Sequence, residues 1–129
     1  EMEQGLRAVT YLKVDRAEAE FITGESDLAR AAQQLHTMGV QEIVMTESSG
    51  VTVSTGGRLY SAPFTPRSLK GRTGRGDTCF STYIAKRLTA DAAEACRWAG
   101  VVTSLKQEVP GPWRGTVAQV QQVLAEVYR

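Results

Sequence analysis

The stretch Gly71-Arg72-Thr73-Gly74-Arg75-Gly76-Asp77-Thr78-Cys79-Phe80 constrains the chain more than any other: a glycine-rich turn runs straight into a helix. Gly71, Gly74 and Gly76 permit positive φ, or an approach to a ligand where a Cβ would clash. Asp77 is expected to cap the helix, with Phe80, Ile84 and Leu88 recurring behind it at helical spacing. The first amides of such a helix have no intrahelical partner, and the macrodipole adds partial positive charge there. An anion placed on them is stabilised without a dedicated basic side chain, and a carboxylate at the same point could act as a general base. The stretch equally suits an ordinary loop before a capped helix. It is not a Walker A loop, since no Gly-Lys-Ser/Thr follows the glycines. Arg75-Gly76-Asp77 also spells an adhesion triplet, read here as coincidence.

The rest of the chain alternates strand and helix. Ala8-Val9-Thr10-Tyr11-Leu12 reads as a short buried parallel strand. Lys13-Val14-Asp15-Arg16-Ala17-Glu18 then leads into a helical segment through Ala19, Phe21 and Ile22 that stops at Gly24. Acids where a strand gives way to a helix mark the place where open α/β sheets bind ligands, although acids in a first helical turn are favoured in any case. Ser26 and Asp27 start an amphipathic helix with Leu28, Ala31, Leu35 and Met38 on one face and Gly39 at its end. His36, the single histidine, lies off that face and is expected to be exposed and without a chemical role.

Glu42-Ile43-Val44-Met45-Thr46 reads as the next strand and completes a strand–helix–strand unit with an expected right-handed crossover. Glu47-Ser48-Ser49-Gly50 is a polar turn. Val51–Thr55 and Arg58–Ala62 flank Gly56-Gly57 as a hairpin. After the Asp77 helix, a second helix carries Ala92, Ala95, Cys96, Ala99 and Val102 on one face. Val109-Pro110-Gly111-Pro112-Trp113 is a rigid loop whose Trp113 could pack on a base or on the core, the core being the expected role. A last amphipathic helix carries Val117, Val120, Leu124 and Val127.

At 129 residues the chain suits one domain with a real core, and 42% hydrophobic against 22% charged residues fit an ordinary globular protein. A net charge of +1 gives no reason to expect nucleic acid or a membrane surface as partner. No apolar run approaches the roughly 20 residues of a membrane span. No signal-peptide pattern is seen, and Cys79 and Cys96 fall on apolar helical faces as reduced core residues, so a cytoplasmic location is expected.

Two motifs in this order resemble the ribokinase-like (PfkB) carbohydrate kinases. Gly74-Arg75-Gly76-Asp77 before an apolar helix matches the family's Asp-Thr-x-Gly-Ala-Gly-Asp signature at its Gly-x-Gly-Asp core. Gly71, Arg72 and Arg75 depart from it. Asp15-Arg16-Ala17-Glu18, preceded by Lys13 and followed by Thr23-Gly24, is similar to the family's Asn-x-x-Glu segment, with Asp for Asn. The resemblance implies a Rossmann-like, three-layer α/β/α sheet with a β-hairpin and C-terminal helices. It implies Asp77 as the base that takes the hydroxyl proton, and Gly74, Arg75 and Gly76 as the anion hole around the transferring phosphoryl group. Asp15 and Glu18 would position magnesium-bound water, as suits a hard cation. Thr46, Ser48 and Gly50, together with Gly74 and Gly76, would contact the nucleotide, with Glu47 near a position usually held by glycine.

The resemblance covers only the C-terminal half of such an enzyme. Residues 1–129 are therefore expected to form a single α/β domain, the nucleotide-binding half, with the substrate and lid half absent. The function it implies is ATP- and Mg2+-dependent phosphorylation of a hydroxyl on a sugar-like small molecule, in a protein that could dimerise through the missing half. A non-catalytic nucleotide- or anion-binding regulatory module is the alternative from another class. A purely structural α/β domain explains the periodicity but not two motifs in order. Because Gly71 stands where the family has Asp, use of a monovalent cation is left open.

Overall fold

The structure, a computed structural model, describes residues 10–71 and 74–128. Ala8 and Val9, expected in the first strand, and Arg72 and Thr73 of the glycine-rich stretch lie outside the described residues. Among the described residues a single sheet of order β1-β2-β3-β4 is formed by Tyr11–Asp15, Glu42–Glu47, Gly50–Thr55 and Arg58–Pro63. β1 and β2 run parallel in the register Tyr11↔Glu42 to Asp15↔Thr46, and β2, β3 and β4 follow one another antiparallel. The first strand thus extends past Leu12 through Asp15, because its ladder with β2 continues to Thr46. Glu47 likewise closes β2 rather than opening the turn.

Five helices complete the described chain: α1 (Arg16–Thr23), α2 (Leu28–Thr37), α3 (Arg75–Arg87), α4 (Ala92–Gln107) and α5 (Val117–Val127). Alternation along β2 sorts them into layers. Ile43 and Met45 pack with Val14, Ala19, Ala31 and Leu35 beneath α1 and α2. Val44 points the other way, into a cluster with Val51, Val53, Cys79, Tyr83, Ala95 and Ala99 beneath α3 and α4. The result is the expected three-layer α/β/α arrangement. α5 packs outside α4, where Val120 meets Trp98, Val101, Val102 and Leu105, with Trp113 and Leu124 against them.

Local chemistry departs from the sequence expectation in several places. Gly74, at φ +81°, caps α3, and Thr78 N–H donates to its carbonyl at 2.9 Å; Asp77 therefore sits in the first turn, not at the cap. The inward face of α3 is carried by Cys79 and Tyr83, flanked by half-buried Phe80 and Ile84, while Leu88 is 83% exposed. In α5 only Val120 is buried, and Val117 and Val127 face solvent.

His36 is half-buried, not exposed. Its Nδ1–H donates to the Val40 carbonyl at 2.8 Å and its Nε2 accepts from Ser54 Oγ at 2.7 Å, fastening α2 to β3. A second polar fastening joins sheet to helix: Tyr83 hydroxyl and Arg87 Nε, the latter at 3.1 Å, donate to buried Glu42, which also accepts from Thr55 at 3.2 Å. Such a carboxylate is tolerable inside because its lone pairs are met. Among the described residues no helix is long and apolar enough to cross a membrane.

Candidate functional site

The ends of the parallel strands and the start of α3 converge on one cleft. In open α/β sheets the carboxyl ends of parallel strands are where ligands bind. Lys13, Asp15, Glu18, Thr46, Gly74, Arg75 and Gly76 line a cavity of about 250 Å³ there. All but Lys13 are residues the sequence singled out. Gly76 is seated so that a Cβ on it would point between Lys13 Nζ, 3.8 Å away, and Thr46 Oγ1, 4.0 Å away. The backbone start of α3 thus faces the ends of β1 and β2 with no side chain between.

Asp77 lies on the rim. Its carboxylate accepts from Lys13 Nζ at 2.7 Å, which ties it to the cleft across the sheet edge. It also lines a second, largely apolar cavity of about 710 Å³ that runs along α3 past Trp98 to Trp113. Trp113 accordingly packs on the α4–α5 core and borders that space as well. The Lys13 hydrogen bond, and then its charge, hold the Asp77 carboxyl below the usual carboxylate range. An ionised carboxylate that borders the larger cavity and is bonded to a residue of the cleft is in the right state to accept a proton.

Asp15 and Glu18 form a reciprocal capping box on α1. Glu18 N–H donates to Asp15 Oδ1 at 2.7 Å, and Asp15 N–H donates to Glu18 Oε1 at 2.9 Å. Each carboxylate commits one oxygen to the cap while its side chain borders the cleft. Among the described residues no group of three or more metal-ligating side chains occurs. Two carboxylates beside the first turn of α3 fit Mg2+ held largely by waters rather than by a protein cage.

Ser48 and Gly50 are not brought to the cleft. Ser48 is an exposed turn residue, and Gly50 is buried where a Cβ would meet the Ala62 carbonyl oxygen at 2.5 Å. The glycine at that position lets β4 approach β3. Glu47 does not stand as an isolated negative charge: Arg16 Nη1 donates to its Oε2 at 2.6 Å and Ser49 Oγ to its Oε1 at 2.8 Å. The Arg16 bond first, and Ser49 next, keep its carboxyl below the ordinary range.

Lys13 entered the reading of the sequence only as the lysine ahead of Asp15-Arg16-Ala17-Glu18, with no role of its own. Its signal was position: a lysine two residues ahead of an acidic capping pair, on the strand end that points to the site.

The profile described as pfkB family carbohydrate kinase matches residues 1–114. No curated protein matches the chain. Among solved structures, a pyrophosphate-dependent kinase in the ribokinase family, complexed with a pyrophosphate analog and myo-inositol, shares 36% identity at TM-score 0.82 over 94% of this chain and 43% of its own. An Arabidopsis thaliana ribokinase with ribose and ATP shares 22% identity at TM-score 0.82 over 95% of this chain and 43% of its own. A candidate Ribokinase II from E. coli with ATP and Mg2+ shares 19% identity at TM-score 0.82 over 97% of this chain and 42% of its own. The two ribokinase structures, at that identity, speak for the fold alone. The chain spans less than half the length of each of these structures. With its profile match across most of the sequence, the chain belongs to the pfkB carbohydrate kinase family.

Proposed function

We propose that this chain forms the donor-phosphate cradle and general base of a kinase that phosphorylates a hydroxyl of a sugar-like polyol. The observation that carries the reading is the cleft lined by the start of α3, Lys13, Asp15 and Glu18, with Asp77 on its rim hydrogen-bonded to Lys13. The acceptor hydroxyl gives its proton to the Asp77 carboxylate as its oxygen bonds to phosphorus, and the bridging phosphorus–oxygen bond of the donor breaks. The charge on the transferring group rests on the amides of residues 75–77, an arrangement worth on the order of 10²–10³ in rate per well-aimed donor. General-base help adds roughly 10²–10⁴. Asp15 and Glu18 would hold Mg2+ through its waters, and the ion would supply neutralisation of the donor's phosphate charge. Lys13 exchanges Asp77 for a donor phosphate oxygen when the cleft fills, which frees the carboxylate to act. Contacts that select the acceptor come from further polypeptide, consistent with the chain's span of under half of its solved relatives.

The donor is a Mg2+-bound polyphosphate. ATP follows from the family resemblance. The 36% identity to a pyrophosphate-dependent kinase, against 22% for an ATP-bound ribokinase, favours pyrophosphate. The test is phosphoryl transfer to myo-inositol and a panel of sugars by the intact protein, with ATP and pyrophosphate compared at equal Mg2+. Transfer that is lost in Asp77→Asn supports the reading. Saturable donor binding without transfer to any acceptor, in a folded protein, would instead make this a regulatory anion-binding module.

A further inference from the structure

A buried lysine closes the back of the anion loop. Lys106, in the last turn of α4, is only 6% exposed, and its Nζ donates to the Gly71 carbonyl at 3.0 Å. The Gly71 N–H donates in turn to the Gln107 carbonyl at 2.9 Å. Both backbone polar groups of Gly71 are thus held by the end of α4. The fit allows nothing larger: a Cβ on Gly71 would lie 1.5 Å from the Val109 carbonyl oxygen. At the other end of the loop, a Cβ on Gly74 would come within 3.9 Å of Lys106 Cε. The lysine side chain therefore reaches both Gly71 and Gly74, the residue that caps α3.

A buried ammonium is costly unless its charge is met. Among the described residues no ion pair includes Lys106; a backbone carbonyl of the loop receives its proton instead. The start of α3, which has no side-chain cap among the described residues, lines the cleft at Gly74, Arg75 and Gly76. An anion bound there is the charge that complements the nearby ammonium. Resting on the kinase reading above, we infer that Lys106 is a positioning residue that serves as the anion loop's own built-in cation. It ties Gly71 to the end of α4 and adds fixed positive potential beside Gly74, at the start of α3. A small monovalent cation bound to loop carbonyls would do the same work; here the side chain does it, so transfer needs no such ion.

The test uses the intact protein with its active donor and acceptor, and the variants Lys106→Met, Lys106→Ala and Lys106→Arg. Wild-type turnover should be the same in potassium, sodium and tetramethylammonium salts. Lys106→Met keeps the bulk and removes the charge; kcat should fall roughly 10–100-fold with the acceptor KM little changed. Lys106→Ala opens a space, and ammonium or potassium, but not tetramethylammonium, should restore part of its lost kcat. Lys106→Arg should retain more activity than either. Should Lys106→Met not fold, the alanine variant with added ammonium carries the test. Wild-type-like kcat in the folded methionine variant would overturn the inference. So would an alanine defect that ammonium leaves untouched. Calorimetric titration with pyrophosphate gives a readout separate from turnover: Lys106→Met should weaken binding about ten-fold, and unchanged affinity would overturn the inference. If Asp77→Asn abolishes transfer while the Lys106 variants are normal, the kinase reading stands and this inference alone falls.

Discussion

The Lys13 ammonium lies 2.7 Å from an Asp77 carboxylate oxygen, joining the end of β1 to the first turn of α3 across 64 positions of sequence. Two residues that no local pattern connects are thereby made one chemical unit. Lys13 keeps Asp77 ionised to lower pH than an ordinary carboxylate. If Asp77 is the base proposed above, it sets the acid limb of kcat/KM. Replacing Lys13 with Met removes the hydrogen bond and the charge, so the carboxyl returns toward its usual range. The acid limb should move to higher pH, with a lower plateau from the lost phosphate contact. A pH–rate profile of the variant checks this; an acid limb unmoved from wild type means that Asp77 is not the group titrating. The carboxylate is largely exposed, so the pair contributes little to folding.

Gly76 separates a steric role from a catalytic one. A Cβ there makes only ordinary contacts, 3.8 Å from Lys13 Nζ and 4.0 Å from Thr46 Oγ1, and the residue is helical. Gly76→Ala should therefore fold as well as wild type or better, by up to about 1 kcal/mol from helix propensity. Its methyl, however, would stand in the cleft between the amides and a bound phosphate. Transfer should drop roughly 10–100-fold while the melting temperature holds or rises. Paired melting and kinetic measurements decide it, and equal activity would remove Gly76 from the anion hole.

The α/β layering was legible because it rests on local patterns: the β-forming run of β2, the Gly56-Gly57 hairpin and the small-residue face of α4 all say what they do. Five of the cleft residues, Asp15, Glu18, Gly74, Arg75 and Gly76, were legible because Gly-x-Gly-Asp and Asp-x-x-Glu are local patterns with local physics. What escaped depends on contacts distant in sequence. Lys106 follows the apolar run that ends α4 and looks like a solvated helix end; only the loop folding over it makes it interior. Glu47 read as a charge out of place, because its partner Arg16 lies 31 residues away. Gly50 read as a ligand contact and is instead a place where two strands press together. The cap of α3 moved from Asp77 to Gly74 because a glycine in the left-handed region already turns the chain there, leaving the acid free for the site.

The Arg16–Glu47 pair predicts an effect on donor binding. With Arg16 at 2.6 Å, the charge of Glu47 is matched locally. Arg16→Gln leaves that carboxylate unmatched near the end of β2, beside the cleft wall at Thr46. Donor KM should rise about 3–10-fold with kcat nearly constant, since an exposed pair is worth on the order of 1 kcal/mol. The difference should shrink as salt is raised. The double variant Arg16→Gln/Glu47→Gln should recover wild-type KM; if it does not, Arg16 acts on the donor by another route.

Cys79 and Cys96 test the core between sheet and helices. Both are free and essentially inaccessible, in one cluster with Val44, Val53 and Ala99. Burial, the main cause in each, pushes the Cys79 thiol up to about 11 and the Cys96 thiol to about 12. Neither is a thiolate at neutral pH, so an alkylating reagent at pH 8 should leave both unmodified in the native protein and label both once denaturant unfolds it. The same shifts fix the sign of a stability effect. Above the ordinary thiol value of 9.0 the unfolded chain has lost protons that the native state still holds. Stability is therefore complete below that pH and falls as pH rises toward about 11, by at most about 1.4 kcal/mol per pH unit for each thiol. Denaturant midpoints measured from pH 8 to pH 10.5 should drop more steeply for wild type than for a Cys79→Ala/Cys96→Ala variant; parallel curves would assign the alkaline loss to other groups, with Tyr83, also raised chiefly by burial, the first to examine.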